Sequence, residues 1–342
     1  MKISDFDYSL PPEFIAQTPV EPRDQSRLMV LHRANSSIEH HYFREVIDYL
    51  HSGDTLVFNN SRVIPARLLG QESDTGTKVE FLLLRQLDNG TWETLVRPGK
   101  KVTVGDKINI ANKSGEADAG MTAEVLERGE GGIRVVHFSN ESLLEQLGKV
   151  PLPPYIHVLL AEPERYQTVY AKVKGSVAAP TAGLHFTPRL LKKLRQKGIQ
   201  FAFVTLHIGL DTFRPVRAYD PRDHPIHKEY GKLSPETATL LNETRKQGKR
   251  VVAVGTSTVR LIEAATQSDT IHPFAGWVDL FILPGHQFRV TDTIITNFHL
   301  PKSTLLMLVS AFAGREFILR TYEQAKSLGY RFYSFGDCMI IF

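Results

Sequence analysis

At 342 residues, with 42% apolar and 23% charged side chains, the chain has room for two ordinary domains or one large body with an insertion, and its composition excludes disorder and a fibrous repeat. Its longest uncharged apolar run, residues 305–312, is less than half of what a membrane-spanning helix needs; the opening MKISDFDYSLPPEF lacks the basic end and apolar run of an export signal, so a cytoplasmic protein is expected. The single Cys338 excludes an internal disulfide framework and a thiolate metal cluster, while the net charge of +4 suits a polyanionic partner without requiring one.

Taken in chain order, the apolar run 55–58 is expected to join an α/β body. Residues 67–150 read differently. Short alternating runs at 78–84, 92–96, 107–110 and 133–138 are separated by turns such as DNG and GEGG, the pattern of a small all-β barrel. From Pro151 onward helices alternate with apolar strands. Thr187-Pro188 followed by RLLKKLRQKG supplies an N-cap, a proline at the first helical position and a closing Gly198. A strand at 199–206, a helix from Ser234 to Gly248, strands at 250–254, 279–283 and 293–298, and helices at 305–312 and 316–327 follow. The expected fold class is α/β, a body of residues 1–66 plus 151–342 carrying an inserted barrel at 67–150.

The chain lacks G-x-G-x-x-G, G-x-x-x-x-G-K-[ST], H-E-x-x-H and C-x-x-C, and His224 and His227 read as loop residues, so neither a standard nucleotide fold nor a metal is expected. Four other segments combine small polar residues with a histidine or arginine: AAPTAGLHF (178–186), VTLHIGL (204–210), VGTSTVR (254–260) and TNFHLPKST (296–304). If strands end there, the four converge on one pocket, because ligands in open α/β sheets bind at the carboxyl ends of strands. Each segment also has a local reading. Thr256, Ser257 and Thr258, or Ser303 and Thr304, serve as helix caps or as an anion site, and His185 or His207 alone is a satisfied core histidine or a proton carrier. The helix 189–197, with five cations and no acid, is a solvated face or a phosphate-contacting one.

Taken together, these segments resemble S-adenosylmethionine:tRNA ribosyltransferase-isomerase. The resemblance runs along nearly the whole chain, through LPPEFIAQTPVEPRDQSRLMVL, FNNSRVIPARL, LVRPGK, VPLPPYI, GSVAAPTAGLHFTP, FVTLHIGL, TFRPV, VAVGTSTVR, TNFHLPKSTLLMLVSAFAGRE and YRFYSFGDCMII. It implies an α/β body with an inserted β-barrel. It also implies transfer and isomerisation of the ribosyl part of S-adenosylmethionine onto 7-aminomethyl-7-deazaguanine in the wobble position of tRNA, giving epoxyqueuosine, adenine and methionine. S-adenosylmethionine is then a co-substrate, with no cofactor or metal, and the chain is expected to act as a monomer.

On that reading His185 and His207 form the acid/base pair, because a sulfonium acidifies the neighbouring 5′ hydrogens and a histidine suits their removal. Thr181, Thr256, Thr258, Asn297 and His299 hold the nucleoside and the methionine tail, with Arg260 facing a carboxylate. Arg62, Arg67, Arg97 and the helix bearing Arg189, Lys192 and Lys193 hold the anticodon arm. The chain departs from the family pattern at Asp211, at His286, at Cys338 and in the stretch 157–164. Two rivals remain: a nucleoside hydrolase or phosphoribosyl-type transferase, which needs no tRNA, and a non-enzymatic RNA-binding module, which consumes no S-adenosylmethionine.

Overall fold

The computed structural model describes residues 1–116, 119–158, 160, 162–209, 216 and 218–342. Asp211, the rest of the TFRPV motif other than Val216, and positions 159 and 161 lie outside the described residues. The chain divides into two compact units. One comprises Met1–Arg62, Pro153–Val173 and Ala179–Phe342; the other comprises Val63–Leu152 and Lys174–Ala178.

The first unit begins with strands β1 (Arg27–His32), β2 (Ser37–Tyr42) and β3 (Thr55–Asn59). The second supplies β4 (Arg67–Glu72), β5 (Lys78–Asp88), β6 (Thr91–Arg97), β7 (Lys107–Ile110), β8 (Thr122–Arg128) and β9 (Ile133–Phe138), which close into an antiparallel barrel in the order β9-β6-β5-β4-β7-β8. Alternation fills it: Trp92, Thr94 and Val96 point inward from β6, Ala123 and Val125 from β8, and Phe81 meets Phe138 edge to face at 5.9 Å.

The first unit resumes with α1 (Pro188–Gln196), β10 (Gln200–Leu206), β11 (Glu229–Leu233), α2 (Pro235–Lys246), β12 (Val251–Val254), α3 (Thr256–Ala264), β13 (Phe274–Val278), β14 (Thr293–Asn297), α4 (Thr304–Ala313), α5 (Arg315–Ser327) and β15 (Cys338–Ile341). Its nine-stranded sheet runs β13-β11-β10-β3-β12-β14-β15-β1-β2. The four strands at its middle, β10, β3, β12 and β14, are parallel neighbours, so their carboxyl ends share one edge. Their near-continuous apolar composition follows from being covered on both faces. The helices start where the sequence places them: Thr187, Ser234 and Ser303 each accept a hydrogen bond from a backbone N–H of the first turn.

One expected element is displaced. The strand anticipated at 279–283 lies instead at Phe274–Val278, and the apolar DLFIL that suggested it is loop. Its backbone is used otherwise, since the Leu280 carbonyl accepts from the Arg260 side chain.

Phe58, at the centre of β3, is fully buried among Tyr170, Phe186, Phe201 and Phe203, with ring centroids 4.6–5.7 Å away. Truncation leaves a cavity that rigid β-structure cannot close. Phe58→Ala is expected to cost about 3–5 kcal/mol in urea unfolding; a loss below about 1 kcal/mol would contradict this packing.

Candidate active site

The carboxyl ends of the parallel strands carry the site. β12 passes into α3 through Gly255, whose φ of +90° turns the chain straight from strand to helix, a conformation L side chains rarely adopt. The Gly255 N–H bonds the Ile295 carbonyl at 2.8 Å, fastening this turn to β14. Among the described residues no side chain caps α3. Its first turn, with Thr256 and Ser257, therefore presents backbone N–H groups to the space in front of it.

That space is a cleft of about 540 Å³, a figure that counts its open mouth. Thr181, Thr256, Ser257, Asn297, His299, Tyr333 and the Glu229–Arg260 pair supply its polar lining, with Ile208 and Leu305 among its apolar walls. A larger depression of about 900 Å³, around Phe6, Arg315, Phe317 and Arg320, is more open and lies away from these strand ends. The smaller cavity is the better candidate because parallel strands, a helix start and buried polar groups coincide there.

Asn297, the last residue of β14, organises the wall. Its Nδ2 donates to the Tyr333 carbonyl at 3.1 Å and to His185 Nε2 at 3.1 Å, and its Oδ1 accepts from Thr181 Oγ1 at 3.2 Å. A carbonyl can only accept, so the Tyr333 bond fixes which way the amide points. His185 Nε2 must then be an acceptor, which puts the ring proton on Nδ1, 2.7 Å from Ser26 Oγ. His185 thus has both nitrogens engaged inside the protein, and burial, with Arg331 and Arg23 adding to it, pushes its pKa down to about 3.

His299 does line the cavity. Thr296 Oγ1 holds its Nε2 at 3.0 Å, Tyr322 OH accepts from its backbone N–H at 3.0 Å, and Tyr8 OH donates to its carbonyl. Among the described residues Nδ1 has no protein hydrogen bond. Burial alone lowers the pKa to about 3, so this imidazole is neutral near pH 7.

His207 is not in the wall, which corrects the expected pairing with His185. Side chains alternate along a strand, and Leu206 and Ile208 face the α3 side while His207 faces the other. Its backbone N–H bonds Tyr230 O, placing it across from Tyr230; burial and Lys232 lower its pKa. Thr258 is likewise structural, its hydroxyl bonding the Val254 carbonyl at 2.7 Å. Ser303 is a helix cap that also donates to Leu300 O at 2.7 Å.

Arg260, expected to face a substrate carboxylate, faces one of the protein's own. It pairs with Glu229, both side chains being less than a tenth exposed, and also donates to Leu280 O at 3.0 Å. Glu229 in turn accepts the Gly209 N–H at 3.1 Å, anchoring the segment after β10. Of the expected RNA ligands, Arg62 pairs with Glu164 and Arg67 lies 3.9 Å from Glu80. Arg97, Arg189, Lys192 and Lys193 have no ion pair among the described residues, and all four are exposed.

Sequence reasoning missed Ser26, Asn59, Glu229 and Tyr333. Asn59 braces the strand ends, donating to Leu206 O at 2.9 Å and to Ser257 Oγ at 3.3 Å while accepting the Leu206 N–H. The polar triplet after the run TLVF was its available signal.

Hydroxyls, an amide, a neutral imidazole and an internal ion pair around an uncapped helix start define an α/β site built for a polar small molecule. The model of the queuosine biosynthesis protein family matches residues 3–341, and the chain belongs to that family. It is 57% identical over 344 residues to the S-adenosylmethionine:tRNA ribosyltransferase-isomerase of Dehalococcoides mccartyi (strain CBDB1) and 52% identical over 343 residues to that of Thermotoga maritima, covering 100% of both chains in each case. A crystal structure of S-adenosylmethionine tRNA ribosyltransferase from Thermotoga maritima is 43% identical, with a TM-score of 0.58 over 99% of this chain and 100% of that one.

The depressed histidine pKa values have a consequence for stability. Below the unfolded value of about 6.5 the unfolded chain binds protons that folded His185 and His299 refuse, so stability falls as pH drops from about 6.5 towards 3. Each histidine contributes up to about 1.4 kcal/mol per pH unit there. Unfolding of His299→Gln between about pH 6 and 4 should show a shallower slope than the parent by about that amount; identical slopes would show that His299 is not held neutral.

Proposed function

We propose that the protein transfers and isomerises the ribosyl moiety of S-adenosylmethionine onto 7-aminomethyl-7-deazaguanine at the wobble position of tRNA, releasing adenine and methionine and leaving epoxyqueuosine. The observation that carries this reading is the convergence of the four loops 178–186, 204–210, 254–260 and 296–304 on one cavity in a chain matched end to end by ribosyltransferase-isomerases. Neither rival has comparable support, since the full-length relatives carry neither name.

The nucleoside occupies the cavity, its hydroxyls and ring nitrogens within reach of Thr181, Thr256, Ser257 and Asn297. The methionine carboxylate is matched by the open N–H groups of α3, because Arg260 is already neutralised by Glu229. His299 removes the 5′ proton that the sulfonium acidifies. It is the histidine in the cavity wall, and Nδ1 is its uncommitted nitrogen among the described residues; held neutral, that nitrogen is open to a proton, although burial makes it a weak base. His185 acts through Asn297 and is a positioning residue. Burial of the wall excludes water while the new ring closes. The cations of α1, Arg189, Lys192 and Lys193, contribute to holding tRNA phosphates.

Mass spectrometry of tRNA bearing the aminomethyl base, after incubation with protein and S-adenosylmethionine, tests the reaction: the epoxyqueuosine nucleoside and free adenine should appear together. Absence of both with folded protein would refute the activity, and adenine without tRNA would favour the hydrolase. His299→Ala should lower kcat about 10²–10⁴-fold with tRNA binding unchanged, and His207→Ala less than about tenfold. The reverse order would return the proton transfer to His207.

A further inference from the structure

The barrel contains an arginine where alternation calls for an apolar side chain. On β9, Arg134, Val136 and Phe138 point inward, and Arg134 is 1% exposed. Its guanidinium is satisfied by carbonyls: Nε donates to Val102 O at 3.1 Å, Nη2 to Val102 O at 3.0 Å and to Gly99 O, and Nη1 to Ile133 O at 2.7 Å. No carboxylate pairs with it among the described residues. A buried cation answered by dipoles keeps its full charge, and burial together with neighbouring Arg128 presses against that charge.

Two of those carbonyls belong to the loop after β6, RPGKKV at 97–102. Arg134 therefore holds the loop's backbone from inside and leaves its basic side chains outside. Gly99 passes so close to Gly132 that an added Cβ would lie 3.2 Å from its Cα, and Val96 N–H bonds Gly132 O at 2.9 Å. The hairpin turn 129–132 thus buttresses the loop. Arg97, Lys100 and Lys101 are exposed, as is Arg128 on β8, and none is in an ion pair among the described residues. Glu80 stands opposite Arg97 in the ladder but is within ion-pair distance of Arg67 instead. A connection that merely joined β6 to β7 would need neither the internal guanidinium nor the two-glycine contact.

We infer that the loop 97–102 is a preformed phosphate clamp for the tRNA backbone, its shape set from within by Arg134 as positioning residue and its charge supplied by Arg97, Lys100 and Lys101. The occupant is a polyanion because these cations and Arg128 crowd one end of the barrel without carboxylate partners, and it is RNA if the proposed reaction holds, on which this inference rests. The contacts are to backbone phosphates, which confer affinity and register without reading sequence.

The test measures binding of tRNA, not turnover, so it is separable from the reaction itself. Lys100→Glu/Lys101→Glu should weaken tRNA binding at low salt at least about tenfold and flatten the dependence of log K on log salt by about two, roughly one for each phosphate no longer held. Lys113→Glu, a charge reversal in another exposed loop of the barrel, should change neither. Arg134→Met removes no surface charge, yet it should weaken binding if the loop's shape matters, with barrel folding followed separately by thermal unfolding. Unaltered affinity and salt slope in Lys100→Glu/Lys101→Glu would overturn the clamp whatever Arg134→Met does. Equal weakening by Lys113→Glu would also overturn it, by showing a diffuse charge effect. If no modified tRNA forms with the parent protein but the binding loss appears, the clamp stands and the reaction falls.

Discussion

The side-chain amide of Asn297 is the joint on which the site depends. It sits at the end of a buried parallel strand and reaches three segments remote in sequence: the turn carrying Thr181 and His185, the Ser26 loop through His185, and the C-terminal Tyr333. Because the Tyr333 carbonyl offers only an acceptor, the amide has one orientation, and that orientation dictates the tautomer of His185 and hence the bond to Ser26. A buried polar network of this kind is stable only when every member is satisfied, so the same bonds that shape the wall also make it rigid.

Electrostatically, the cavity is prepared for a cation without presenting a free anion among the described residues. Arg260 and Glu229 cancel one another, and desolvation keeps His185 and His299 neutral. Protonated imidazoles here would repel a sulfonium. What remains is a wall of oriented dipoles, with side-chain oxygens on Thr181 and Asn297 and donors at the start of α3, which need little rearrangement as charge develops. The basic character of the chain is displayed elsewhere, on α1 and on the barrel loop, where phosphates are the natural counterpart.

Much of this is legible in the residues. β12 and β14 announce themselves as short apolar runs ending in polar turns, and α1, α2 and α4 begin at readable caps. The barrel shows in its two-residue alternation. What is not legible depends on pairing. The edge strand Phe274–Val278 yields in apolar signal to 279–283, because Ala275 and Gly276 interrupt it with small residues while 280–283 is an unbroken run of large ones. His207 is misleading since a histidine at a strand end looks the same whichever face it occupies, and only the register with Tyr230 settles it. Ser26 and Tyr333 have no local mark at all, since they reach the site through tertiary packing. Arg260 does line the cavity, but its partner Glu229 lies 31 residues earlier and nothing in the local sequence joins the two.

All of this chemistry requires the nucleoside to lie at the carboxyl ends of the parallel strands. A crystal structure with S-adenosylmethionine bound tests this most directly. The adenosyl group should appear between Thr181, Thr256, Asn297 and His299, with the methionine carboxylate at the first turn of α3. Density for it in the groove around Phe6, Arg315 and Arg320 instead, with the strand-end cavity empty, would contradict that placement and the mechanism built on it.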